Sequence, residues 1–166
     1  VHLGVRADSL LADVEVVDDS VRALCKDLFD TMYDEAGVGL AATQIGDGRR
    51  VVVVDCAQSD GGQPIALING HIVEREGEIL WSEACLSLPG VTAEVERSAR
   101  IIVEYLDRAG EARSLEATGL LSVCIQHELD HLDGQLYIDR LGQLERKAAI
   151  ADYEEVRSQP APELET

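Results

Sequence analysis

The sequence predicts an α+β domain with an antiparallel sheet. Apolar residues recur at helical spacing near the start of the chain and again around residue 125. Between these stretches lie short runs rich in β-branched residues, bounded by turn-forming residues. The resulting order of one helix, several strands and two helices lacks the strand–helix alternation of parallel sheets, so the strands are expected to pair in antiparallel fashion.

The first helix is expected over residues 18–36. Its apolar positions follow the 3.6-residue period, at Val21, Leu24, Cys25, Leu28 and Met32. Asp18 or Asp19 can cap its first turn, and Gly37 can end it. A glycine-bounded loop, residues 37–46, is expected to follow.

A series of strands comes next. Strong β-formers bounded by turn residues mark them at residues 50–55, 65–69, 78–81, 99–106 and 112–116. The sequence Asp-Arg-Ala-Gly forms the turn between the last two strands. By contrast, residues 82–90, which include Cys85, form a pattern too irregular for a plain helix or strand.

Two helices complete the predicted domain. One runs from about Gly119 to Leu132, with Thr118 as its N-cap and Gly134 after its last turn. A more polar helix is expected over residues 140–157.

The length of the chain fits a single domain. Its 166 residues are enough to bury a core, and 46% of them are hydrophobic. The domain is expected to span residues 1–158, with residues 159–166 as a frayed tail. The chain begins with Val1, which is compatible with trimming of the N-terminus.

The chain carries a formal net charge of −18, from 14 basic and 32 acidic residues. Such a surface repels phosphate groups, which argues against nucleic acid or an anionic membrane as a direct partner. The longest apolar runs are too short to cross a bilayer, and no signal-peptide pattern opens the chain. A cytoplasmic location is expected.

The four cysteines show no C-x-x-C pair and no export context, so a disulfide framework is not expected. Cys25, Cys56 and Cys124 are interpreted as small buried apolar groups.

The loop Gly37-Val38-Gly39-Leu40-Ala41-Ala42 fits the loose dinucleotide fingerprint. That fingerprint requires a strand before it and a helix after it, whereas here a helix precedes and a strand follows. The preferred interpretation is that two glycines let an extended backbone approach a ligand closely. Gln44 would then present a side-chain amide at the end of the loop.

The segment Gln126-His127-Glu128-Leu129-Asp130-His131 predicts a metallohydrolase. On a helix, His127 and His131 lie on one face and can aim two imidazoles at one metal ion. Glu128 follows the first histidine and can reach a water molecule beside that ion. The alternative is a surface helix with two solvated histidines, but histidines on an otherwise apolar face are costly unless something satisfies them.

A third metal ligand has to come from elsewhere in the chain. His2 and His71 are candidates, but both lie in ordinary polar sequence. Asp133 and Asp139 are too close to His131 or on the wrong helical phase. Cys85 is a soft ligand that a metal would deprotonate.

Three segments together resemble those of peptide deformylase: the glycine loop ending in Gln44, residues 83–87 (Glu-Ala-Cys-Leu-Ser), and residues 126–131. The resemblance implies antiparallel β-sheets packed around a central metal-binding helix, with N-terminal and C-terminal helices. It also implies that Cys85, His127 and His131 ligate the metal, with Glu128 as general acid and base. The implied native metal is Fe²⁺, and Zn²⁺, Ni²⁺ or Co²⁺ can replace it.

The implied reaction is hydrolysis of the N-formyl group from the initiator methionine of new polypeptides, with release of formate. Gln44 and the backbone N–H of Leu86 would stabilise the oxyanion. The substrate pocket would be formed by Val38, Gly39, Trp81, Ala84, Leu120, Val123 and Cys124. For Leu120, Val123 and Cys124, ordinary core packing is an equal alternative.

Two features depart from the family pattern. Ala84 replaces a glycine that the family usually has, so altered sensitivity to hydroxamate-type inhibitors is expected. The C-terminal helix is not notably basic, so it gives no support to ribosome association.

Arg97 stands where the family often has an arginine. The expected partners are N-formylmethionyl peptides, and the protein is expected to be a monomer or weak dimer.

Two other functions remain open on the sequence. A zincin-type endopeptidase shares His-Glu-x-x-His but usually takes its third ligand downstream. A catalytically idle relative would act only as a binding protein, although the presence of Glu128, Gln44 and all three ligands argues against it.

Overall fold

An antiparallel sheet forms the frame of the fold in the computed structural model, which describes residues 11–85 and 87–159. Within those residues the sheet has five strands, each paired with its neighbour in sequence. They are β1 (Gly39–Ala41), β2 (Val51–Val54), β3 (Ile65–Cys85), β4 (Leu88–Leu106) and β5 (Ala112–Thr118). The helices are α1 (Asp19–Asp34), α2 (Gly119–Leu132) and α3 (Gln143–Ser158). The predicted α+β class is confirmed.

Helix α1 matches the predicted first helix. The Asp18 carboxylate accepts a hydrogen bond of 3.1 Å from the Val21 N–H, as expected of a helix cap. The residue that ends the helix in the left-handed conformation is Ala36, with φ of 54°, and the prediction of Gly37 for that role is wrong. Gly37 instead donates its N–H back to the Met32 carbonyl at 2.9 Å, which closes a Schellman turn.

Strands β3 and β4 are far longer than the sequence predicts. The expected strands at 65–69 and 78–81 are both parts of β3, and the expected strand at 99–106 is the end of β4. The description of residues 82–90 as too irregular for a strand is also wrong, because β3 continues to Cys85 and β4 begins at Leu88. Register shifts at three points along the pair break the two-residue alternation on which the prediction depended.

Helix α2 spans Gly119–Leu132 as predicted and lies buried against the sheet. All its residues from 122 to 132 are buried. Thr118 occupies the N-cap position, but its side chain makes no capping hydrogen bond. Gly134 follows the helix with φ of 74°, as the predicted stop. The sheet therefore encloses α2 over most of its length, and polar side chains on this helix are held in fixed surroundings.

Helix α3 begins at Gln143, later than predicted, because Tyr137–Arg140 forms a separate 3₁₀ turn. Its buried residue Ala149 packs with Leu88 and Tyr137 against the start of β4. No helix within residues 11–159 is both long and apolar enough to cross a membrane. Apart from Gln159, the predicted C-terminal tail lies outside the described residues.

Candidate metal centre and substrate cleft

Three buried side chains converge where the end of β3 meets α2. Cys85 is the last residue of β3, and His127 and His131 are one turn apart on α2. The two Nε2 atoms are 3.1 Å apart, and Cys85 Sγ lies 3.3 Å from His131 Nε2. One ligand atom from each residue lies within 4.8 Å of the others. The structure thus brings together the three predicted ligands.

The donor set fits a divalent transition metal. Two ring nitrogens that face each other at this distance cannot both be acceptors without a positive group between them, and the Cys85 sulfur lies beside them. One thiolate and two imidazoles are ligands that suit zinc and other first-row dications. His71 lies instead on the exposed surface of β3, 3.6 Å from Glu104, and His2 lies outside the described residues.

A buried ion-pair network orients the first histidine. His127 Nδ1 lies 2.7 Å from Glu83 Oε1, and Glu83 accepts two hydrogen bonds from Arg97, of 2.7 and 2.8 Å. Arg97 also donates to Asp130 at 2.5 Å, and Arg140 donates to the same carboxylate. Because Nδ1 of His127 donates to Glu83, its Nε2 is left as an acceptor for a metal.

The pKa values of these groups reflect burial opposed by local charges. Burial alone would raise the pKa of Glu83, but hydrogen bonds from Arg97 and His127 lower it. Burial disfavours a charged His127, yet hydrogen bonds to Cys85 and Glu83 outweigh that effect and raise its pKa to about 10. Burial, together with the neighbouring His127 charge, lowers the pKa of His131 to about 3. Metal binding at His127 therefore has to displace the proton that this histidine retains at neutral pH.

Glu128 lies beside this centre at the bottom of a cleft. Burial raises the pKa of Glu128 to about 7, and the nearby His127 charge limits the rise. Among the described residues, its Oε2 atom is one of two buried side-chain atoms that lack a hydrogen-bond partner. A carboxyl group in this environment can change its protonation state near neutral pH.

The cleft has a volume of about 480 Å³ and is lined mainly by apolar surface. Cys85, His127, Glu128 and Gln44 contribute to its wall. All seven residues of the predicted substrate pocket also line it: Val38, Gly39, Trp81, Ala84, Leu120, Val123 and Cys124. Val123 and Cys124 are at the same time buried core residues, so for them pocket and core interpretations both hold.

Gln44 is held in one orientation at the edge of the metal centre. Its Oε1 accepts the Ala41 N–H at 2.9 Å, which directs its amide nitrogen towards Ser87 Oγ at 3.1 Å and Cys85 Sγ at 3.8 Å. The predicted amide donor thus points into the site. Leu86, the other predicted oxyanion donor, lies outside the described residues.

Gly39 lets β1 approach α2 closely. A Cβ atom at this position would lie 2.8 Å from Glu128 Cγ and 2.9 Å from Cys124 Sγ. The loop was predicted to approach a ligand closely, whereas in the structure the nearest neighbours of Gly39 are the Glu128 and Cys124 side chains. The glycine therefore sets the position of the carboxyl group.

The roles of Glu83 and Asp130 in the buried network were not predicted from the sequence, and Arg97 was predicted without a partner. The sequence did contain an indication of this network, because Glu83 and Arg97 are charged residues on strands that are otherwise partly buried. Only the pairing of β3 with β4 brings Glu83 and Arg97 together.

Comparisons with known proteins agree with this geometry. A family model described as polypeptide deformylase matches residues 8–147. The peptide deformylase of Alkalilimnicola ehrlichii is 50% identical over 142 residues, which cover 86% of this chain and 80% of that protein. The peptide deformylase of Neisseria meningitidis is 47% identical over 141 residues, covering 85% and 84% of the two chains.

Solved structures show the same fold. The crystal structure of a peptide deformylase from Legionella pneumophila matches with a TM-score of 0.84 and 39% identity over 93% of each chain. A Synechococcus elongatus peptide deformylase in complex with actinonin matches with a TM-score of 0.84 and 36% identity, over 93% of this chain and 84% of that one.

Proposed function

The chain belongs to the peptide deformylase family. On that basis we propose a role in deformylation for each residue of the site. The substrates we propose are N-formylmethionyl peptides, from which formate is released. The observation that carries this proposal is a Cys–His–His donor set that borders the same cleft as a buried glutamic acid with a pKa near neutrality.

The metal we propose for the native enzyme is Fe²⁺, with Zn²⁺, Ni²⁺ and Co²⁺ able to replace it. Cys85, His127 and His131 would hold the ion. When bound, such a cation lowers the pKa of a water molecule and polarises a carbonyl group. A mixed thiolate and imidazole donor set is compatible with each of these metals.

Glu128 is the proposed general acid and base. It would take a proton from the attacking water and return it to the amine of the departing methionine. Its pKa of about 7 supports this role, because proton transfer in both directions is then accessible near neutral pH. The unpartnered Oε2 atom supports it too, since that oxygen is free to accept a hydrogen bond.

Gln44 and the backbone N–H of Leu86 are the proposed donors to the negatively charged oxygen of the tetrahedral intermediate. The support for Gln44 is the fixed direction of its amide nitrogen towards Cys85. Removal of one such donor typically lowers kcat by about 10²–10³.

The seven predicted pocket residues are the proposed binding site for the methionine side chain and the adjoining backbone. An apolar cleft next to the metal centre suits a flexible thioether, which makes favourable dispersion contacts with apolar walls.

At the level of the whole protein, we propose that residues 1–158 form one catalytic domain that acts in the cytoplasm as a monomer or weak dimer. Transient contact with ribosomes receives no support from α3, because acidic residues there offset the basic ones. The net charge of −18 likewise disfavours direct binding to RNA.

The decisive experiment measures formate release from a formyl-Met tripeptide under anaerobic conditions, together with metal content. We expect metal-dependent turnover, its loss with normal metal content in Glu128→Ala, and loss of both in Cys85→Ala. Cleavage of internal bonds in unformylated peptides would instead indicate an endopeptidase. Full biological function of Glu128→Ala in cells would favour a binding protein.

A further inference from the structure

The Gln44 side chain is held from two sides, and only one of the two contacts comes from its own part of the chain. Gln44 lies in the 3₁₀ turn Ala42–Ile45, whereas Ser87 lies in the turn between β3 and β4. The Gln44 amide nitrogen donates to Ser87 Oγ at 3.1 Å. We propose that Ser87 is a positioning residue, whose hydroxyl aligns the Gln44 amide with the reacting formyl group. This inference rests on the donor role proposed above for Gln44.

The orientation of the Gln44 amide follows from which of its partners can donate. The Ala41 N–H, 2.9 Å away, can only donate, so the atom that it contacts is the amide oxygen. The amide nitrogen therefore faces the other way, where Ser87 Oγ and Cys85 Sγ can both accept. Each end of the amide consequently has a partner.

The two N–H groups of this amide have different surroundings. Ser87 Oγ lies at an ordinary hydrogen-bonding distance of 3.1 Å, whereas Cys85 Sγ lies 3.8 Å from the nitrogen, which is a long and weak contact. One N–H is therefore committed to Ser87, and the other is left on the side of a proposed metal ligand. That second N–H is the one available to the negatively charged oxygen of the tetrahedral intermediate.

The backbone around Ser87 fixes the position of its hydroxyl. The Ser87 N–H donates to Cys85 Sγ at 3.4 Å, and Cys85 pairs with Leu88 across the turn. The hydroxyl is thus carried by a segment that is tied to a proposed metal ligand. Among the described residues that line the cleft, Gln44 is included and Ser87 is not. Ser87 therefore acts through Gln44 and not on the substrate.

Loss of the Ser87 hydroxyl would leave the amide held at one end only. The terminal torsion of a glutamine side chain is broad, so a single contact at the oxygen does not fix the direction of the nitrogen. Ser87→Ala should lower kcat about 3–10-fold, which is the rate equivalent of one net hydrogen bond. KM should stay close to wild type, because the donor is used in the transition state. Ser87→Thr keeps the hydroxyl oxygen and should restore most of kcat.

The test is a double-mutant cycle on formate release, with Gln44→Ala, Ser87→Ala and the variant that carries both changes. We expect Ser87→Ala to have no further effect once Gln44 has been replaced, because it acts only through that residue. Equal fold losses from Ser87→Ala in the two backgrounds would overturn the proposal. A normal kcat in Ser87→Ala beside a lowered kcat in Gln44→Ala would also overturn it. A normal kcat in Gln44→Ala would instead contradict the donor role of Gln44, and this inference would fall with it.

Metal content is the readout that does not depend on activity. Ser87→Ala should bind as much metal as wild type, because Cys85 Sγ keeps its hydrogen bond from the Ser87 backbone. Ser114→Ala, at an exposed serine on β5, is the matched control and should leave kcat, KM and metal content unchanged. Loss of metal from Ser87→Ala in proportion to its loss of kcat would overturn the proposal, because Ser87 would then act through Cys85.

Discussion

Gly39 shows how one missing methyl group fixes the geometry of the proposed acid–base residue. We predict that Gly39→Ala lowers kcat about 100-fold or more, because its Cβ would have to displace Glu128 or Cys124. The overpacking should cost about 1–3 kcal/mol of stability. Formate-release kinetics and urea unfolding measure the two effects.

The matched control is Gly48→Ala, because a Cβ at that position meets no atom within 4 Å. It should leave both kcat and stability close to wild type. Normal turnover by Gly39→Ala would show that Glu128 is not held by this contact.

Glu83 orients His127, which is a proposed metal ligand. We predict that Glu83→Gln weakens metal affinity about 10–100-fold, because the charged acceptor that orients His127 is lost. Arg97 also loses its carboxylate partner at 2.7 Å, so some stability should be lost as well. Competition with a chelator of known affinity measures the change, with the exposed Glu94→Gln as control. Unchanged metal affinity would assign Glu83 a purely structural role.

Ala84 adds a methyl group to the wall of the cleft. We predict that Ala84→Gly keeps deformylase activity but binds hydroxamate-type inhibitors more tightly, by up to about tenfold, which corresponds to about 1.4 kcal/mol. Inhibition constants for both proteins, determined with the same metal, test this. Equal constants would show that the methyl group does not reach the inhibitor.

At the scale of elements, one hydrogen bond ties α1 to the residue that follows β2. Tyr33 donates to Asp55 at 2.6 Å, and the Ala57 and Gln63 N–H groups donate to the same carboxylate. Burial alone would raise the pKa of Asp55, but these hydrogen bonds lower it. The Asp55 contact raises the pKa of Tyr33 to about 12.

A defined pH dependence follows from these pKa values. Because the pKa of Asp55 is lower in the folded state, its contribution to stability is present above the unfolded value of about 3.9 and is lost as the pH falls further. For Tyr33 the contribution is present below about pH 10 and is lost as the pH rises through about 12. We predict that Asp55→Asn is less stable than wild type at pH 7, and that the difference shrinks below pH 4.

Urea unfolding at several pH values measures this difference, with Asp60→Asn in the neighbouring exposed turn as control. A stability difference for Asp55→Asn that stays constant from pH 7 to pH 3 would contradict the assignment.

At the scale of elements, the sequence predicts the helices better than the long strands. Helices α1 and α2 were predicted closely, because an apolar stripe is a local signal, to which the Asp18 cap adds at α1. The extent of β3 and β4 was not, because register shifts near Asn69 and Ala84 break the alternation. The metal ligands could be identified because two of them share one helix and the third lies in a family motif. The Glu83–Arg97 pair could not, because it depends on the tertiary pairing of β3 with β4, in which Glu83 stands opposite Ala93 and Arg97 opposite Ile79.

At the scale of the whole molecule, the metal joins elements that are distant in sequence. We predict that excess chelator lowers the melting temperature, because a ligand that binds only the folded state at 1,000 times its Kd adds about 4 kcal/mol of stability. Calorimetry with and without Zn²⁺ measures this shift.

Two variants separate the structural effect of the metal from its catalytic effect. Glu128→Ala should retain the metal-dependent shift while losing turnover. His131→Ala should lose both, since a ligand is missing. A melting temperature that does not respond to metal in the wild-type protein would contradict binding at this site.

The distance along the chain between Cys85 and the two histidines also determines how long after Cys85 the histidines are synthesised. When Cys85 is made, the ribosome still has to add β4, β5 and α2 before His131 exists. At about 5–20 residues per second, that interval lasts roughly 2–9 seconds, during which the new thiol has no partner histidines. Each molecule can therefore acquire its cation only after His131 has been added, and a product truncated before that residue would carry an unprotected cysteine.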